Sequence, residues 1–415
     1  MTVEIQTRQN SNIVLIYIGK INIKNMSETA PTQSGIVDPS LLAGSVVTAP
    51  ELKIRFNTFE EAQTTEKKFS DSFVDGCLQD NLTVGSEQVG IKGYLDKVES
   101  TDRDDAIIAD PEAIAGLYLS TTEMITRNLK IVVAKNPDEA KYQDRTATIK
   151  DAKDRFIQKL KDEAGGVADE IVEWSEGKSK MFPVSAVEYT GLEIDGRDPL
   201  NAEGKHAEDF RPNIKVQRQI AGTFIMAYSD TRVREKISKQ DQELGKRIYL
   251  NPDVVAVPEI FEQVLQAANE AGLPIQLKMF QRASEFAQAH LVRRKGKSMD
   301  GLRGDGIVIY APDAQADEVL NMVLAIAKDK SEAFIGRKTS RIPQMVAEGI
   351  AIGDEPTQMA GTSLTSHREK ILSYAANYVK QKGRTGQEAR DLFRRCISVT
   401  AKVNKVNPNN VAFNL

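Results

Sequence analysis

The feature that most constrains the fold is the punctuation of the C-terminal part of the chain, where short apolar segments alternate with longer segments of helical periodicity. Residues 247–250, 275–280 and 306–310 have strand-like apolar patterns next to proline, glycine or asparagine, so they predict strands. An amphipathic segment that starts near Pro258 and stops at Gly272 predicts a helix between the first two strands. This order predicts an α+β region in which helices cover a mixed or antiparallel sheet.

The segment between the second and third predicted strands is the sharpest basic island in the chain. Residues 278–305 contain seven lysines and arginines against three acidic residues, and we interpret them as a basic loop that suits an anionic ligand. A run of charge is also typical of an ordinary solvated loop, so both interpretations stand. Further on we expect a loop over residues 349–361 and then two closing helices, the second of which begins with a capping box formed by Thr385 and Glu388.

The remaining sequence divides by periodicity. A chain of 415 residues is long enough for two or three domains, since one hydrophobic core rarely grows past about 250 residues. Residues 1–45 carry no periodic pattern and predict a disordered tail, in which Met26 looks like a natural start. Residues 46–240 predict a mainly helical domain, because apolar residues recur at helical spacing, as they do over 152–164. Residues 241–415 are the predicted α+β domain.

Composition argues against several classes of protein. With 40% hydrophobic and 27% charged residues, the chain is too apolar for complete disorder and too polar for a membrane protein. Its two cysteines, Cys77 and Cys396, cannot build a disulfide framework, and its three histidines make metal catalysis a poor expectation. The longest apolar run near the N-terminus, Ile13–Ile18, is much shorter than a membrane helix, and no cleavage motif follows it. We therefore expect no metal and no cleavable signal peptide.

Arginine, lysine and tyrosine side chains stand at the predicted strands and loops of the C-terminal region. The planar fork of arginine matches a phosphate, and a lysine can act as a base if burial or nearby cations lower its pKa from about 10.4. Each residue alone also has an ordinary structural explanation: Lys278 could face solvent and His367 could cap a helix. The candidate functional residues are Arg247, Tyr249, Lys278, Arg303, Asp305, His367 and Arg368.

Five short blocks in this region appear in a fixed order. They are Arg247–Asn251, Pro274–Lys278, Arg303–Tyr310, Gly349–Pro356 and Ser363–Arg368. They resemble the run Arg-x-Tyr-x-Asn, Pro-Phe-x-x-Lys, Arg-x-Asp-x-x-Val-Leu-Tyr, Gly-Val-x-x-Ala-x-x-Pro and Ser-Phe-Gly-x-x-Arg of the HopA-type effector family of plant-pathogenic bacteria. That family includes the lyase subunits of class-five lanthipeptide synthetases. Leu364-Thr365 in place of Phe-Gly, and a longer basic loop before Arg303, are departures that bear on the choice of substrate.

The resemblance implies a lyase that eliminates phosphate from phosphoserine or phosphothreonine and leaves a dehydroamino acid, without any cofactor. Such a reaction needs a base for the Cα hydrogen, stabilisation of the enolate, and cations that hold the phosphate. Lys278 is the implied base, its pKa lowered by the surrounding arginines. The implied phosphate ligands are Arg247, Arg303 and Arg368.

The resemblance also implies supporting roles and a setting. Tyr249 or His367 would protonate the leaving phosphate or bond the enolate oxygen, and Asp305 would orient an arginine. The expected partner is a phosphorylated peptide or protein, with a kinase as a candidate second partner and with neither nucleic acid nor membrane. The protein is expected in the bacterial cytoplasm or, secreted, in a host cell. The alternative is a non-catalytic effector-like module that binds an anionic or phosphorylated partner through a cationic groove.

Overall fold

The computed structural model describes most of the chain from residue 51 onward. Apart from single-residue gaps, the described residues are 51–110, 224–229, 245–294, 301–356 and 363–415, with scattered positions at 113–124, 192–193, 231 and 296. All of them belong to one unit, Ala49–Leu415. The predicted tail at 1–45 and the predicted helical run at 152–164 lie outside the described residues. Among the described helices, none is long and apolar enough to cross a membrane.

The described part of the chain combines helices with antiparallel strands, which confirms the α+β class. The helices are α1 (Phe59–Thr64), α2 (Asp71–Gln79), α3 (Ile91–Asp96), α4 (Asp102–Ala109), α5 (Val257–Ala271), α6 (Arg282–Arg294), α7 (Ala316–Asp329), α8 (Leu364–Gln381) and α9 (Gly386–Val403). The strands are β1 (Leu82–Val84), β2 (Glu87–Val89), β3 (Lys97–Val98), β4 (Leu192–Glu193), β5 (Phe224–Tyr228), β6 (Lys246–Leu250), β7 (Gln276–Phe280), β8 (Leu302–Arg303), β9 (Ile307–Ala311), β10 (Gln344–Ala347) and β11 (Ile350–Asp354).

Seven of these described strands form one sheet in the order β10-β11-β6-β9-β7-β5-β4, and every neighbouring pair is antiparallel. The predicted strands at 247–250, 275–280 and 306–310 are confirmed as β6, β7 and β9. They lie side by side in the middle of the sheet, in the order β6-β9-β7. Residues far apart in sequence are therefore brought onto one surface.

One face of the sheet is apolar and carries helices α5 and α7. Alternate residues of the central strands, including Ile248, Leu277 and Ile309, are fully buried in this layer. Helix α5 contributes the predicted apolar stripe and stops at Gly272, whose φ of 69° places it in the left-handed region that favours glycine. Each Å² of apolar surface removed from water stabilises the fold by about 25 cal/mol, so this layer is a main source of stability.

The opposite face carries helices α2, α3, α8 and α9. Its buried residues mix apolar side chains such as Val308 and Ile371 with polar ones such as Tyr249 and Arg368. The predicted closing helices are confirmed as α8 and α9. Because this layer holds the buried polar groups, it is where a functional site can be built.

Elements from both sides of residue 240 pair with one another. Strand β5 pairs with β7, and β3 pairs with β8. The proposed domain boundary at residue 240 stays a prediction, since strand pairing across a position does not decide whether either part folds alone.

The basic island is not the loop that its charge suggested, because Arg282–Arg294 forms helix α6. Phe286 and Ala289, three positions apart, are buried and anchor one side of the helix. Alanine, glutamate, glutamine and arginine in this segment are also good helix formers. The charges of this segment therefore belong to a helix, in which Arg293 is exposed and Arg282 is buried.

The segment predicted as a loop over 349–361 begins instead with strand β11. Gly349, which suggested a loop, has φ 65° and makes the turn between β10 and β11. Gly353 lies inside the strand, where the backbone passes close to Ala412. A Cβ added at Gly353 would stand 2.9 Å from the Ala412 carbonyl oxygen, so this position requires glycine. The predicted capping box is also wrong: the Thr385 side chain makes no cap hydrogen bond, and Glu388 pairs with Arg384 at 3.2 Å.

Candidate functional site

The register of the three central strands sets polar side chains in rows across one face of the sheet. Tyr310 of β9 lies directly opposite Arg247 of β6 and Gln276 of β7. In the next row, Val308 lies opposite Tyr249 and Lys278. Directly opposed residues of antiparallel strands share a face, and diagonal neighbours remain within reach of long side chains. We name the group of Arg247, Gln276, Lys278 and Tyr310 the Tyr310 cluster.

Tyr310 is the centre of this cluster. Its ring centroid lies 5.0 Å from the Arg247 guanidinium carbon and 5.7 Å from Lys278 Nζ, distances typical of cation–π contacts. Its side chain is 6% exposed. Burial acts to raise the pKa of the Tyr310 hydroxyl, but the charges of Lys278 and Arg247 and a hydrogen bond from Lys278 outweigh it, so the pKa lies below its ordinary value. Tyr310 is thus a more acidic phenol than an ordinary tyrosine.

Arg247 ties the cluster to a carboxylate and to a second tyrosine. Its Nε donates to Glu355, and another guanidinium nitrogen donates to the Tyr249 hydroxyl at 3.5 Å. Burial acts to lower the pKa of Arg247, yet Tyr310, Tyr249 and Glu355 raise it well above its usual range, so the guanidinium stays charged. Burial raises the pKa of Tyr249 well above its usual range despite the nearby Arg247. The two tyrosines of this face therefore differ in acidity.

Gln276 adds an unsatisfied acceptor to the cluster. The side chain is 4% exposed, and its Oε1 atom has no hydrogen-bond partner among the described residues. A buried polar atom without a partner costs about 1–3 kcal/mol. Such an atom beside Tyr310 is suited to accept a hydrogen bond from a bound ligand.

Arg368 and His367 lie at the start of helix α8, which Ser363 caps through its hydroxyl at 3.0 Å from the Ser366 nitrogen. Arg368 is 1% exposed, and it donates to the Val411 carbonyl at 2.7 Å, to Asn414 Oδ1 at 2.9 Å and to His367 Nδ1. Burial lowers the pKa of Arg368 to about 10. All three guanidinium nitrogens are thus engaged by the protein itself.

His367 is neutral at pH 7. Burial, followed by the charges of Arg368 and Lys370, lowers the pKa of its imidazole to about 4. Because Nδ1 accepts from Arg368, the ring proton must be on Nε2, which has no partner among the described residues. Little imidazolium is present at neutral pH to act as a proton donor.

A second group of cations lies further along the same face, around Phe280. The guanidinium carbons of Arg303 and Arg282 lie 5.3 Å and 6.0 Å from its ring centroid. Arg303 donates to both carboxylate oxygens of Asp305, at 2.9 and 2.6 Å, and Arg282 pairs with Glu285 at 2.6 Å. We name these five residues the Phe280 cluster. In it each arginine is held by a carboxylate.

The surroundings of the Phe280 cluster are also acidic. Burial, followed by repulsion from Asp305, raises the pKa of the Asp96 carboxyl. Burial acts to lower the pKa of Arg303, but Asp305, Asp96 and Glu285 together raise it well above its usual range. Arg303 is therefore always charged, and it is surrounded by carboxylates.

The seven residues singled out from the sequence come from the central strands β6 and β7, from β8 and the loop after it, and from the start of α8. Arg247, Tyr249 and Lys278 lie in or beside the Tyr310 cluster; Arg303 and Asp305 lie in the Phe280 cluster. Arg368 donates to Asn414, Asn414 donates to the Glu355 carbonyl, and Glu355 pairs with Arg247, so the start of α8 lies on the Arg247 side. Their catalytic roles stay predictions. Among the described residues, no group of three or more histidines, cysteines, aspartates or glutamates could hold a metal ion.

Sequence reasoning missed two members of the Tyr310 cluster, Tyr310 and Gln276. The available signal was the alternation of β9 and β7, which places Tyr310 two positions from Val308 and Gln276 two positions from Lys278. Alternation alone does not tell which strands are neighbours. The two residues acquire their significance only from the order β6-β9-β7.

The C-terminal residues 294–413 match the model of the HopA1 effector protein family. The resemblance to HopA-type effectors is therefore confirmed for this stretch, which contains Arg303, Asp305, Tyr310 and the start of α8 but not Arg247 or Lys278. This part of the chain is effector-like. No curated protein matches the chain.

Two solved structures of Pseudomonas syringae effector proteins are similar to this chain at 11% sequence identity and a TM-score of 0.36 each. The match to the protein from pathovar syringae strain 61 covers 60% of this chain and 82% of that protein's chain. The match to the protein from pathovar tomato strain DC3000 covers 86% of this chain and 93% of that protein's chain.

Proposed function

We propose that this HopA1-like protein is a phosphoserine/phosphothreonine lyase that eliminates phosphate from a phosphorylated peptide or protein and leaves a dehydroamino acid. The observation that carries the proposal is the placement of Lys278 and Arg247 on either side of Tyr310. A lysine that can take a proton, a permanent cation and an acidic phenol are together what a β-elimination of phosphate requires.

Lys278 is the proposed base that removes the Cα hydrogen. Arg247 and Arg303 are proposed to hold the phosphate, with Asp305 fixing the plane of the Arg303 fork through its two hydrogen bonds. Arg368 is assigned to supporting the site, because its donors are engaged by Val411, Asn414 and His367. The reaction needs no cofactor.

The enolate that forms after loss of the Cα hydrogen needs a hydrogen-bond donor. Tyr249 is proposed for this task, since its raised pKa keeps the hydroxyl protonated while the oxygen accepts from Arg247. A phenol that stays protonated can stabilise an oxyanion by hydrogen bonding without surrendering its proton. His367, neutral and engaged by Arg368, is the less suitable of the two residues considered from the sequence.

The second candidate function is a non-catalytic module that binds an anionic or phosphorylated partner through the same cationic face. The observation that favours it is the pairing of Arg247 with Glu355 and of Arg303 with Asp305. An arginine that is already paired with a carboxylate suits a weaker contact that positions an anionic partner, and such a contact does not require catalysis. Both functions predict phosphopeptide binding, and only the lyase changes the mass of the peptide.

The test is mass spectrometry on a panel of phosphoserine and phosphothreonine peptides incubated with the full-length protein without added metal. The wild type is expected to release phosphoric acid from at least one peptide. Lys278→Arg keeps a cation but replaces the amine with a guanidinium, which stays protonated and cannot act as a base at neutral pH, so turnover should fall by about two to four powers of ten while peptide binding persists. Lys246→Arg, which preserves the pairing with Asp354 on the neighbouring strand, is the matched control and should turn over normally.

A wild-type protein that binds phosphopeptides and never changes their mass would make the binding module the better function. Unchanged turnover in Lys278→Arg would remove Lys278 as the base while leaving the lyase intact. The setting is proposed to be the bacterial cytoplasm or, after secretion, a host cell. A neighbouring gene for a kinase and a short precursor peptide would favour peptide modification, whereas neighbouring secretion genes would favour delivery to a host.

A further inference from the structure

The proposed lyase needs a proton donor for the leaving phosphate, and three side chains near the site carry a suitable proton. Phosphate expelled without a proton leaves as a strong base, so donation to the bridging oxygen lowers the barrier. The three groups are the hydroxyls of Tyr249 and Tyr310 and the imidazole of His367. Their surroundings differ enough to choose among them.

Tyr249 and His367 are poorly placed to give up a proton. The Tyr249 hydroxyl accepts a hydrogen bond from Arg247, and burial raises its pKa well above the usual range. His367 is neutral, with its Nδ1 engaged by Arg368. Tyr310, in contrast, has cations on both sides that stabilise the phenolate left after donation.

Tyr310 is also in direct contact with the proposed base. Lys278 is hydrogen-bonded to the Tyr310 hydroxyl, and the two residues are diagonal neighbours on adjacent strands, since Lys278 lies opposite Val308. A proton can therefore pass between them without movement of the backbone. The unsatisfied Gln276 Oε1, opposite Tyr310 in the same row, supplies an acceptor for an amide N–H of a peptide bound at this position.

We propose that Tyr310 is the proton donor to the leaving phosphate and that it exchanges a proton with Lys278 to restore the site after each turnover. This inference rests on the proposed lyase function. It assigns to the site a catalytic residue beyond the seven recognised in the sequence.

The protons and bonds balance without any further reactant. Lys278, in the unprotonated form that a base requires, takes the Cα hydrogen as a proton, the Cα–Cβ double bond forms, and the Cβ–O bond breaks. The Tyr310 hydroxyl gives its proton to the bridging oxygen, so hydrogen phosphate leaves and a phenolate remains beside a protonated Lys278. Transfer of one proton from Lys278 to Tyr310 along their hydrogen bond then regenerates the neutral pair.

The experiment compares Tyr310→Phe with the wild type on a phosphothreonine peptide that the wild type converts, using the full chain. The variant keeps the ring and its cation contacts and removes only the hydroxyl. Turnover is expected to fall by about two to four powers of ten, the usual effect of losing a general acid, with peptide affinity retained. Tyr249→Phe should cause a smaller fall, because that hydroxyl only donates a hydrogen bond.

A second substrate separates proton donation from a structural role. In the same peptide with S-phosphocysteine at the reacting position, sulfur leaves as a weaker base than oxygen and needs less help from an acid. Tyr310→Phe is expected to lose less than about tenfold on this substrate, far less than on phosphothreonine. Tyr94→Phe, whose ring packs against Arg341 and Phe73 away from the cluster, is the control and should behave as wild type on both peptides.

The outcomes separate the inference from the function on which it rests. Equal losses of Tyr310→Phe on the two substrates, or no loss on either, would overturn the role of Tyr310 and leave the lyase standing. If the wild type converts no phosphopeptide, the proposed lyase function is wrong, and so is the proton-donor role of Tyr310. A loss confined to phosphothreonine, with melting temperature and affinity unchanged, supports the exchange.

Discussion

The Tyr310 and Phe280 clusters are built alike and surrounded differently. Each places an aromatic ring on the same face of the sheet with two cations about its ring, at 5.0 and 5.7 Å in one and 5.3 and 6.0 Å in the other. In the Phe280 cluster both arginines are paired with carboxylates, and a further carboxyl, Asp96, lies close by. In the Tyr310 cluster Arg247 pairs with Glu355, and the ring carries a hydroxyl.

That difference separates two tasks that cations perform. Cations held by carboxylates around a phenyl ring can fix positions and attract a phosphate, but nothing in the ring can exchange a proton. Cations around a phenol stabilise the phenolate, and so they change the acidity of the ring itself. Under the proposed lyase function, the proton transfers therefore belong to the Tyr310 cluster, and Arg303 of the Phe280 cluster joins Arg247 in positioning the phosphate.

The largest effect is expected from removing the buried arginine at the start of α8. Arg368→Ala leaves the Val411 carbonyl, Asn414 Oδ1 and His367 Nδ1 without their donor, and since each unpaired buried acceptor costs about 1–3 kcal/mol, we expect a loss of at least about 3 kcal/mol. Chemical denaturation should show this loss in the free energy of unfolding. Arg390→Ala is the control, since its contacts with Asp71 and Asp75 lie at the surface, where an ion pair contributes little to stability.

The same variant decides between two roles for Arg368. The sequence predicts a phosphate ligand, and the structure shows donors engaged by the protein. Should Arg368→Ala keep its stability and lose phosphopeptide affinity, the phosphate role predicted from the sequence would be correct and the supporting role wrong.

Local signals explain which parts of the fold were predictable. Strands β6, β7 and β9 and the stripe of α5 are encoded by neighbouring residues, so periodicity finds them. Helix α6 was not predicted because a high density of charge is also typical of a loop, whereas in the structure Phe286 and Ala289 are buried on one side of a helix whose Arg282 is buried and whose Arg293 is exposed. Strand β11 was not predicted because Gly349, in the tight turn before it, and Gly353, where it passes close to Ala412, are both typical of a loop.

The sequence predicted the types of residue in the site, and it did not predict which of them contact one another. Arginines and a lysine suited to phosphate could be named from the sequence, since their chemistry does not depend on the fold. The contact between Lys278 and Tyr310 depends on strand order, and the engagement of Arg368 depends on the C-terminal Val411 and Asn414. Long-range pairing of this kind leaves no local pattern in the chain.

The next effect tests the positioning task of the Phe280 cluster. Arg303→Ala should weaken phosphopeptide binding by about ten- to a hundredfold, which corresponds to roughly 1.5–3 kcal/mol for a charge-assisted contact. Isothermal titration calorimetry at one fixed salt concentration is the measurement, because salt screens such contacts.

Asp305 needs a control of its own, since Arg303→Ala leaves this carboxylate buried without its partner. The double variant Arg303→Ala/Asp305→Ala removes both charges and should show the same loss of affinity with better stability. If affinity returns in the double variant, the loss in the single variant came from the stranded carboxylate and not from a missing phosphate contact.

The smallest effect concerns the pH dependence of stability near the Tyr310 cluster. His367 has a folded pKa of about 4, below its ordinary value of about 6.5, so the unfolded chain binds the proton more readily than the folded one. The contribution of the neutral His367 to the free energy of unfolding is therefore fully present above pH 6.5, and it is lost as the pH falls from 6.5 towards 4. Between pH 7.5 and 5.5 the loss due to this residue should be about 1 kcal/mol.

The matched variant is His367→Asn, which removes the titrating ring and keeps an amide oxygen that can accept from Arg368. Denaturation of both proteins at several pH values cancels the groups that they share. The wild type should lose about 1 kcal/mol more than the variant between pH 7.5 and 5.5. Parallel curves would mean that the imidazole is as readily protonated in the folded protein as in the unfolded chain, and His367 would then return as a proton donor in competition with Tyr310.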